Sequence, residues 1–357
     1  MVNMTQQQHQ PLPSREVRPP NPKNFLHFFL YSTIFFFLGM NLTLVAVDKN
    51  NNALISNNAP PLQSPKSQGT KLERLPQNEA TAKWKLWHEI APDEQESELE
   101  RAFKRASHYG KMLGGQSEQS KFHNNCPRSK EKPMLLGKGG EHMVCGPPPQ
   151  KDTGCNFFSF GIRDDPSWDI EMGKTWNCRG FAGDPSIFHK SKLHPAVTFH
   201  NIGLKMLRAN AEQRRDPQDE WILASLPSLK KFLGWNYLDV VKIDCEGCEI
   251  AMARDILAED PDFLNSVGQI SIETHATRTW INSTEELYYF AIMFPLLEDA
   301  GFKLIWTSVF GCGKYEHDGC MPEIQEKMNM SCGNRRRNAV NKVPIGWSCH
   351  DWLWARV

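Results

Sequence analysis

Apolar and polar positions give the chain three textures. Residues 25–47, "FLHFFLYSTIFFFLGMNLTLVAV", contain one His and no Asp, Glu, Lys or Arg. At a rise of about 1.5 Å per residue this run is long enough to cross a bilayer core, which predicts one transmembrane helix. From 48 to about 77 the chain is dominated by Asn, Gln, Pro and Ser, too poor in large hydrophobes to build a core. Over 81–112, Trp84, Trp87, Leu99, Phe103 and Tyr109 recur among charges, the pattern of an amphipathic helix, or two broken at Pro92, lying on a main domain.

Beyond residue 120 the texture changes to short apolar runs at 156–162, 179–183, 196–200, 238–244, 268–274 and 302–308. Such strands belong to a sheet covered on both faces. Helix signals fall between them. Asp165 with Pro166 predicts a helix start, and Ser225 precedes Pro227 and an apolar face closed by Gly234. Ser283 and Glu286 form a capping box for a helix that Gly301 ends and Pro295 kinks. The alternation predicts an α/β fold with a doubly wound, mostly parallel, Rossmann-like sheet. Five segments follow: a cytosolic tail 1–24, a signal-anchor helix 25–47, a stem 48–120, a main domain 121–310 and a Cys-rich extension 311–357 packed on it.

Charge sets the orientation. Arg15, Arg18 and Lys23 oppose only Glu16 before the apolar run, so the positive-inside rule places the bulk of the chain in the lumen of the secretory pathway, with the Golgi the expected residence. The formal net charge of zero supplies no field for nucleic acid. All ten cysteines lie beyond residue 120, where a lumenal setting permits disulfides. Cys126, Cys145, Cys155 and Cys178 are able to pair, with the connectivity open. Cys312, Cys320, Cys332 and Cys349 lack the close pairing of zinc sites and read as staples of the extension. Cys245 and Cys248 read as buried, inert thiols. No spacing predicts a metal site. The sequons at Asn282 and Asn329 fit the same topology, whereas that at Asn41 lies inside the apolar run.

The candidate chemistry lies at strand ends, where open α/β sheets bind ligands. Gly161 allows a close backbone approach after the first strand, and Asp164 and Asp165 beside it would repel a phosphate but favour a cation. Asp165 is equally read as a helix cap. Asp184, before Pro185, ends the second strand where an acid grips ribose hydroxyls, or simply makes a turn. Asp244 and Glu246 follow the fourth strand, and Glu273 and His275 end the fifth. Asp244, Glu246 and His275 are the candidate bases, His275 being equally a structural partner of Glu273. Glu249 reads as a surface residue, and Arg335, Arg336 and Arg337 as a solvated loop or a contact for an acidic acceptor.

The segments "CNFFSFGIRDDPSWDIEMGKTWNCRGFAGDPSIF", "VTFHNIGL", "LDVVKIDCEGCEI" and "QISIETH" resemble, in order and spacing, eukaryotic methyltransferase-like proteins related to the FkbM-type methyltransferases. The resemblance covers about residues 120–310. It implies an S-adenosylmethionine-dependent methyltransferase whose cofactor loop includes Ser159, Phe160, Gly161 and Ile162. Asp184 and Pro185 then stand at the ribose and Asp244 beside the reacting methyl. Gly161 stands alone where many such enzymes carry two or three glycines. Topology and analogy point to O-methylation of a secretory-pathway acceptor, a glycan among them. A membrane glycosyltransferase using Asp260 and Asp262, and a non-catalytic lumenal binding module, are the rival readings.

Overall fold

The strands predicted around 156–162 and 238–244 lie side by side at the centre of a nine-stranded sheet. The computed structural model describes residues 79–113, 122–138, 142–148, 154–207, 221–278, 280–310, 322–328 and 349–357. All belong to one unit, Lys71–Val357. The apolar run 25–47 and the sequons at Asn41 and Asn329 lie outside these residues, as do Cys312, Cys320, Cys332 and the arginine run. Among the described residues no helix is long and apolar enough to cross a membrane.

The helices are α1 (Glu79–Ala82), α2 (Gln95–Leu113), α3 (Ser167–Trp176), α4 (Leu226–Phe232), α5 (Cys248–Glu259), α6 (Thr284–Asp299) and α7 (Pro322–Lys327). Strands β8 (Ile202–Leu204) and β9 (Ile222–Ala224) pair by themselves, and the main sheet has the order β1 (Phe122–His123), β12 (Phe302–Phe310), β13 (Cys349–Arg356), β11 (Val267–His275), β10 (Leu238–Ile243), β4 (Asn156–Phe160), β5 (Arg179–Gly183), β7 (Val197–His200), β6 (Lys192–His194). Its parallel heart is β7 (Val197–His200), β5 (Arg179–Gly183), β4 (Asn156–Phe160), β10 (Leu238–Ile243) and β11 (Val267–His275). These strands are almost wholly buried, which is why they read as apolar runs. From β4 the chain winds outward through β5 to β7, then returns to β10 and winds the other way. The switch point therefore lies between the carboxyl ends of β4 and β10.

The far side departs from an all-parallel sheet. β13 (Cys349–Arg356) enters between β11 and β12 (Phe302–Phe310), antiparallel to both. Residues expected to pack on the domain as part of an extension thus form an interior strand. Trp352 and Trp354 bury on the face of α6, and Leu353 and Ala355 on the opposite face. Edge strands β1 (Phe122–His123) and β6 (Lys192–His194) pair antiparallel with β12 and β7.

Two layers cover the sheet. On one face α5 and α6 build the larger core, and α2 packs across α6 through Leu99, Ala102, Phe103, Ala106 and Tyr109. Arg105 fixes that crossing with two hydrogen bonds to Asp299 at 2.7 and 2.9 Å. The opposite face carries α3 and the hairpin β2 (Met134–Leu135) and β3 (Met143–Val144). The helix starts follow local chemistry. Ser225 accepts from Ser228 N–H, and Ser283 and Glu286 complete their reciprocal box. α3 begins at Ser167, later than expected, with Asp165 accepting the Ser167 N–H at 2.9 Å.

Disulfides fasten the hairpin and the parallel heart. Cys126 joins Cys145, and Cys155 joins Cys178 across the entries to β4 and β5. Cys245 and Cys248 are joined rather than left as thiols. Glu246 and Gly247 between them have φ of 51° and 111°, a reversal that brings the two sulfurs together. Trp354 is 1% exposed and packs edge-on to Tyr109 with centroids 5.1 Å apart, so it ties β13 to α2. Trp354→Ala should cost about 3–5 kcal/mol, read as a lower urea midpoint with the disulfides intact.

Candidate active site

At the switch point the main chains of two strand ends nearly touch. Gly161 has φ of 76°, and a Cβ there would lie 1.5 Å from the carbonyl oxygen of Asp244. Its N–H donates to Gly183 at 3.1 Å, while Asp244 N–H donates to Phe160 at 3.0 Å. The close approach expected of this glycine is therefore to the β10 backbone. Ser159, Phe160 and Ile162 are buried beneath the rim. Arg163, Asp164 and Asp165 are the exposed face of the loop.

Asp184 fastens this loop to the end of β5. It is buried, one oxygen accepting Arg163 N–H at 2.9 Å and the other accepting Ser186 N–H at 2.9 Å and Ser186 Oγ–H at 2.6 Å. His189 Nε2 donates to the Arg163 carbonyl at 2.8 Å, closing the loop from its other side. Three donors fill most of the capacity of one carboxylate, so a two-point grip on a ribose requires Ser186 or Arg163 to let go. Pro185 lies half-buried in the same turn.

Asp244 presents a different surface. Its side chain is 14% exposed and meets His142 Nε2 at 3.4 Å. His142 arrives from outside the parallel heart, just before β3. Gln269 exchanges two hydrogen bonds with the Cys145 backbone, at 2.8 and 2.9 Å, and Trp168 Nε1 donates to the His142 carbonyl at 3.3 Å. Burial, reinforced by the Lys242 charge, lowers His142 to about 4, so the ring is neutral at pH 7. Asp244 can only accept, which puts the ring proton on Nε2 facing it and leaves Nδ1 3.4 Å from Ser271 Oγ.

Burial alone would raise Asp244, yet the His142 hydrogen bond and the Lys242 and His275 charges hold it well below the usual carboxylate range. At neutral pH His142 contributes its N–H dipole rather than a charge. Lys242 lies between Ser159 and Ser271 in register and donates to the Gly161 carbonyl at 3.2 Å, so a buried ammonium sits under the rim. Asp169 of α3 faces it, pushed up to about 6 by burial against the opposing pull of Lys242 and Ser159.

His275 is not poised to accept a proton. Its Nδ1 meets Glu249 at 2.9 Å and its Nε2 meets Glu273 at 3.1 Å. Burial opposes protonation, but the two carboxylates raise the ring well above its ordinary value. An imidazolium with both N–H groups engaged has no lone pair for an acceptor hydroxyl. Glu249, expected on the surface, is fully buried and also accepts the backbone N–H of His275 at 3.0 Å and of Gly247 at 2.8 Å. Those three donors outweigh the desolvation that a helical glutamate would otherwise avoid. Glu246 sits half-buried on the same loop. Asp260 and Asp262 occupy a turn after α5, where Asp260 accepts Asp262 N–H at 3.1 Å.

The structure thus brings Gly161, Asp184, Asp244, Glu273 and His275 to one rim, and adds His142, Lys242 and Glu249. A match to the "Methyltransferase domain" family model spans residues 101–302, more than half of the chain. The chain belongs to this methyltransferase family. No curated protein matches it. Among solved structures, the plantazolicin methyltransferase BpumL in complex with SAH shares 13% identity over 78% of this chain and 95% of its own, with a TM-score of 0.23. Coclaurine N-methyltransferase bound to N-methylheliamine and SAH shares 10% over 77% and 92%, with a TM-score of 0.28. The family assignment rests on the sequence match.

Two substitutions probe this methyltransferase site. Gly161→Ala forces a side chain into the Asp244 backbone and should cost about 3 kcal/mol or more, measured by denaturant unfolding. Glu249→Gln should cost about 3–5 kcal/mol near pH 6. Because His275 is raised in the folded state, the stability it confers is complete below its unfolded pKa. That contribution is lost as pH rises through the folded value, so the gap between the variant and the parent should narrow in alkaline buffer.

Proposed function

We propose that the chain binds S-adenosylmethionine at the β4–β10 switch point and methylates an oxygen of a secretory-pathway acceptor. The observation that carries this reading is the ionised, partly exposed Asp244 beside a loop of exposed acids, Asp164 and Asp165. A rim of this sign attracts a sulfonium and an ammonium and repels a pyrophosphate. When bound, the cofactor supplies an electrophilic methyl group; the protein's share is to hold, align and discharge the acceptor.

The candidate bases separate by chemistry. Asp244, held low, is a strong charge partner and a weak proton acceptor. His275 is already protonated. Glu246, half-buried on the rim loop, remains to take a proton from a hydroxyl, with Asp244 orienting the positive charge. The apolar run 25–47, the basic flank before it, the disulfides and the exposed Asn282 of a sequon support a type II membrane protein with this site in the Golgi lumen, where glycans are accessible acceptors.

One observation favours a second reading. The internal commitment of Asp184 suits a methyltransferase fold kept as a binding module, without turnover. Calorimetry of the full chain with S-adenosylmethionine separates the two. Catalysis predicts one binding event per chain, weakened at least about tenfold, or about 1.4 kcal/mol, by Asp244→Asn. Absence of heat with the parent chain supports the module. Binding that survives Asp184→Ala unchanged removes the ribose assignment and leaves the rest intact.

A further inference from the structure

Among the described residues three groups of His, Cys, Asp and Glu bring their ligating atoms within 4.8 Å of one another. Two include cysteines already bonded to other sulfurs: Cys245 with Cys248, and Cys349 beside Glu273 and His275. A disulfide has no thiolate to give a metal. The third, His142 with Glu273 and Asp351, has no sulfur and combines one imidazole nitrogen with two carboxylates.

The geometry points to this third group as a site for a divalent transition ion, Mn²⁺ or Zn²⁺. The ligands come from three separate elements. His142 precedes β3, while Glu273 and Asp351 are directly paired across β11 and β13. All three are more than nine-tenths buried. Glu273 and Asp351 face each other across the two strands, so an ion between them would meet two carboxylates at once. Ligands about 2.1 Å from one metal lie about 3–4.2 Å apart, so a group spread over no more than 4.8 Å needs to close by about an ångström. One imidazole with carboxylates suits Mn²⁺ or Zn²⁺ better than Ca²⁺, which takes oxygen alone. Asp244 on Nε2 of His142, which leaves Nδ1 to ligate, and His275 on Glu273 orient the ligands from behind.

The position deepens the proposed reaction and rests on it in one respect. Asp244 meets Nε2 of His142 at 3.4 Å, so an ion on Nδ1 and the rim carboxylate would share one imidazole. An ion there would fix the His142 ring and, through it, the Asp244 carboxylate at the rim.

The test is metal content of the purified full chain after dialysis against Mn²⁺ or Zn²⁺, by mass spectrometry. One equivalent per chain is expected, weakened at least tenfold by His142→Ala and by Asp351→Asn, each checked for folding by circular dichroism. Cobalt in the same site should give visible bands without a thiolate charge-transfer band, which identifies a sulfur-free site even if a variant fails to fold. No stoichiometric ion, a thiolate band, or affinity unchanged in both variants overturns the inference. Calorimetry with S-adenosylmethionine on the same sample keeps the two proposals apart. Cofactor binding without metal sinks only the metal site, and metal without cofactor binding sinks only the methyl-transfer reading.

Discussion

The contact between Gly161 and the Asp244 carbonyl sets the terms for everything around it. Two parallel strands end there at a spacing that admits no side chain on the first. The lone glycine of the loop is thereby committed to the protein's own backbone. The loop that follows must turn at once, and Arg163, with φ of 49°, makes that turn with its N–H on Asp184. Once β4 and β10 are locked at this distance, Lys242 reaches the Gly161 carbonyl and Asp244 is delivered to the rim with its position fixed by main-chain hydrogen bonds.

Below the rim the protein sorts its ionisable groups by partner. His142 and His275 are both buried, yet one is neutral and the other charged. The difference lies in their hydrogen bonds and charges: His142 has a long contact to Asp244 and feels an ammonium, while His275 is gripped by two carboxylates. Asp169 and Asp244 divide likewise, burial dominating the first and hydrogen bonding with nearby charge the second. Acid chemistry and charge binding are separated within one sheet face by neighbours rather than by residue type.

The parallel heart was legible because strands buried on both faces can contain little but apolar residues, and five of the runs recovered that way are β4, β5, β7, β10 and β11. β13 escaped because its "CHDWLWAR" mixes His and Asp with tryptophans in a cysteine-rich tail, and no local pattern says that an antiparallel strand will slip between β11 and β12. The rim acids at strand ends were visible; their partners were not. His142 is 102 residues from Asp244 and 129 from Ser271, and Glu249 reaches His275 across 26 residues. A glutamate in the first turn of a helix looks solvent-facing until the histidine that neutralises it is known. Local periodicity carries burial, whereas pairing of charges is set by tertiary proximity.

The interior place of β13 also makes it the joint between two parts of the sheet. β11 and β12 do not pair with each other; each finds a partner in β13. Unpaired apolar edges recruit other chains. Loss of β13 would therefore expose two such edges at once, one on β11 and one on β12.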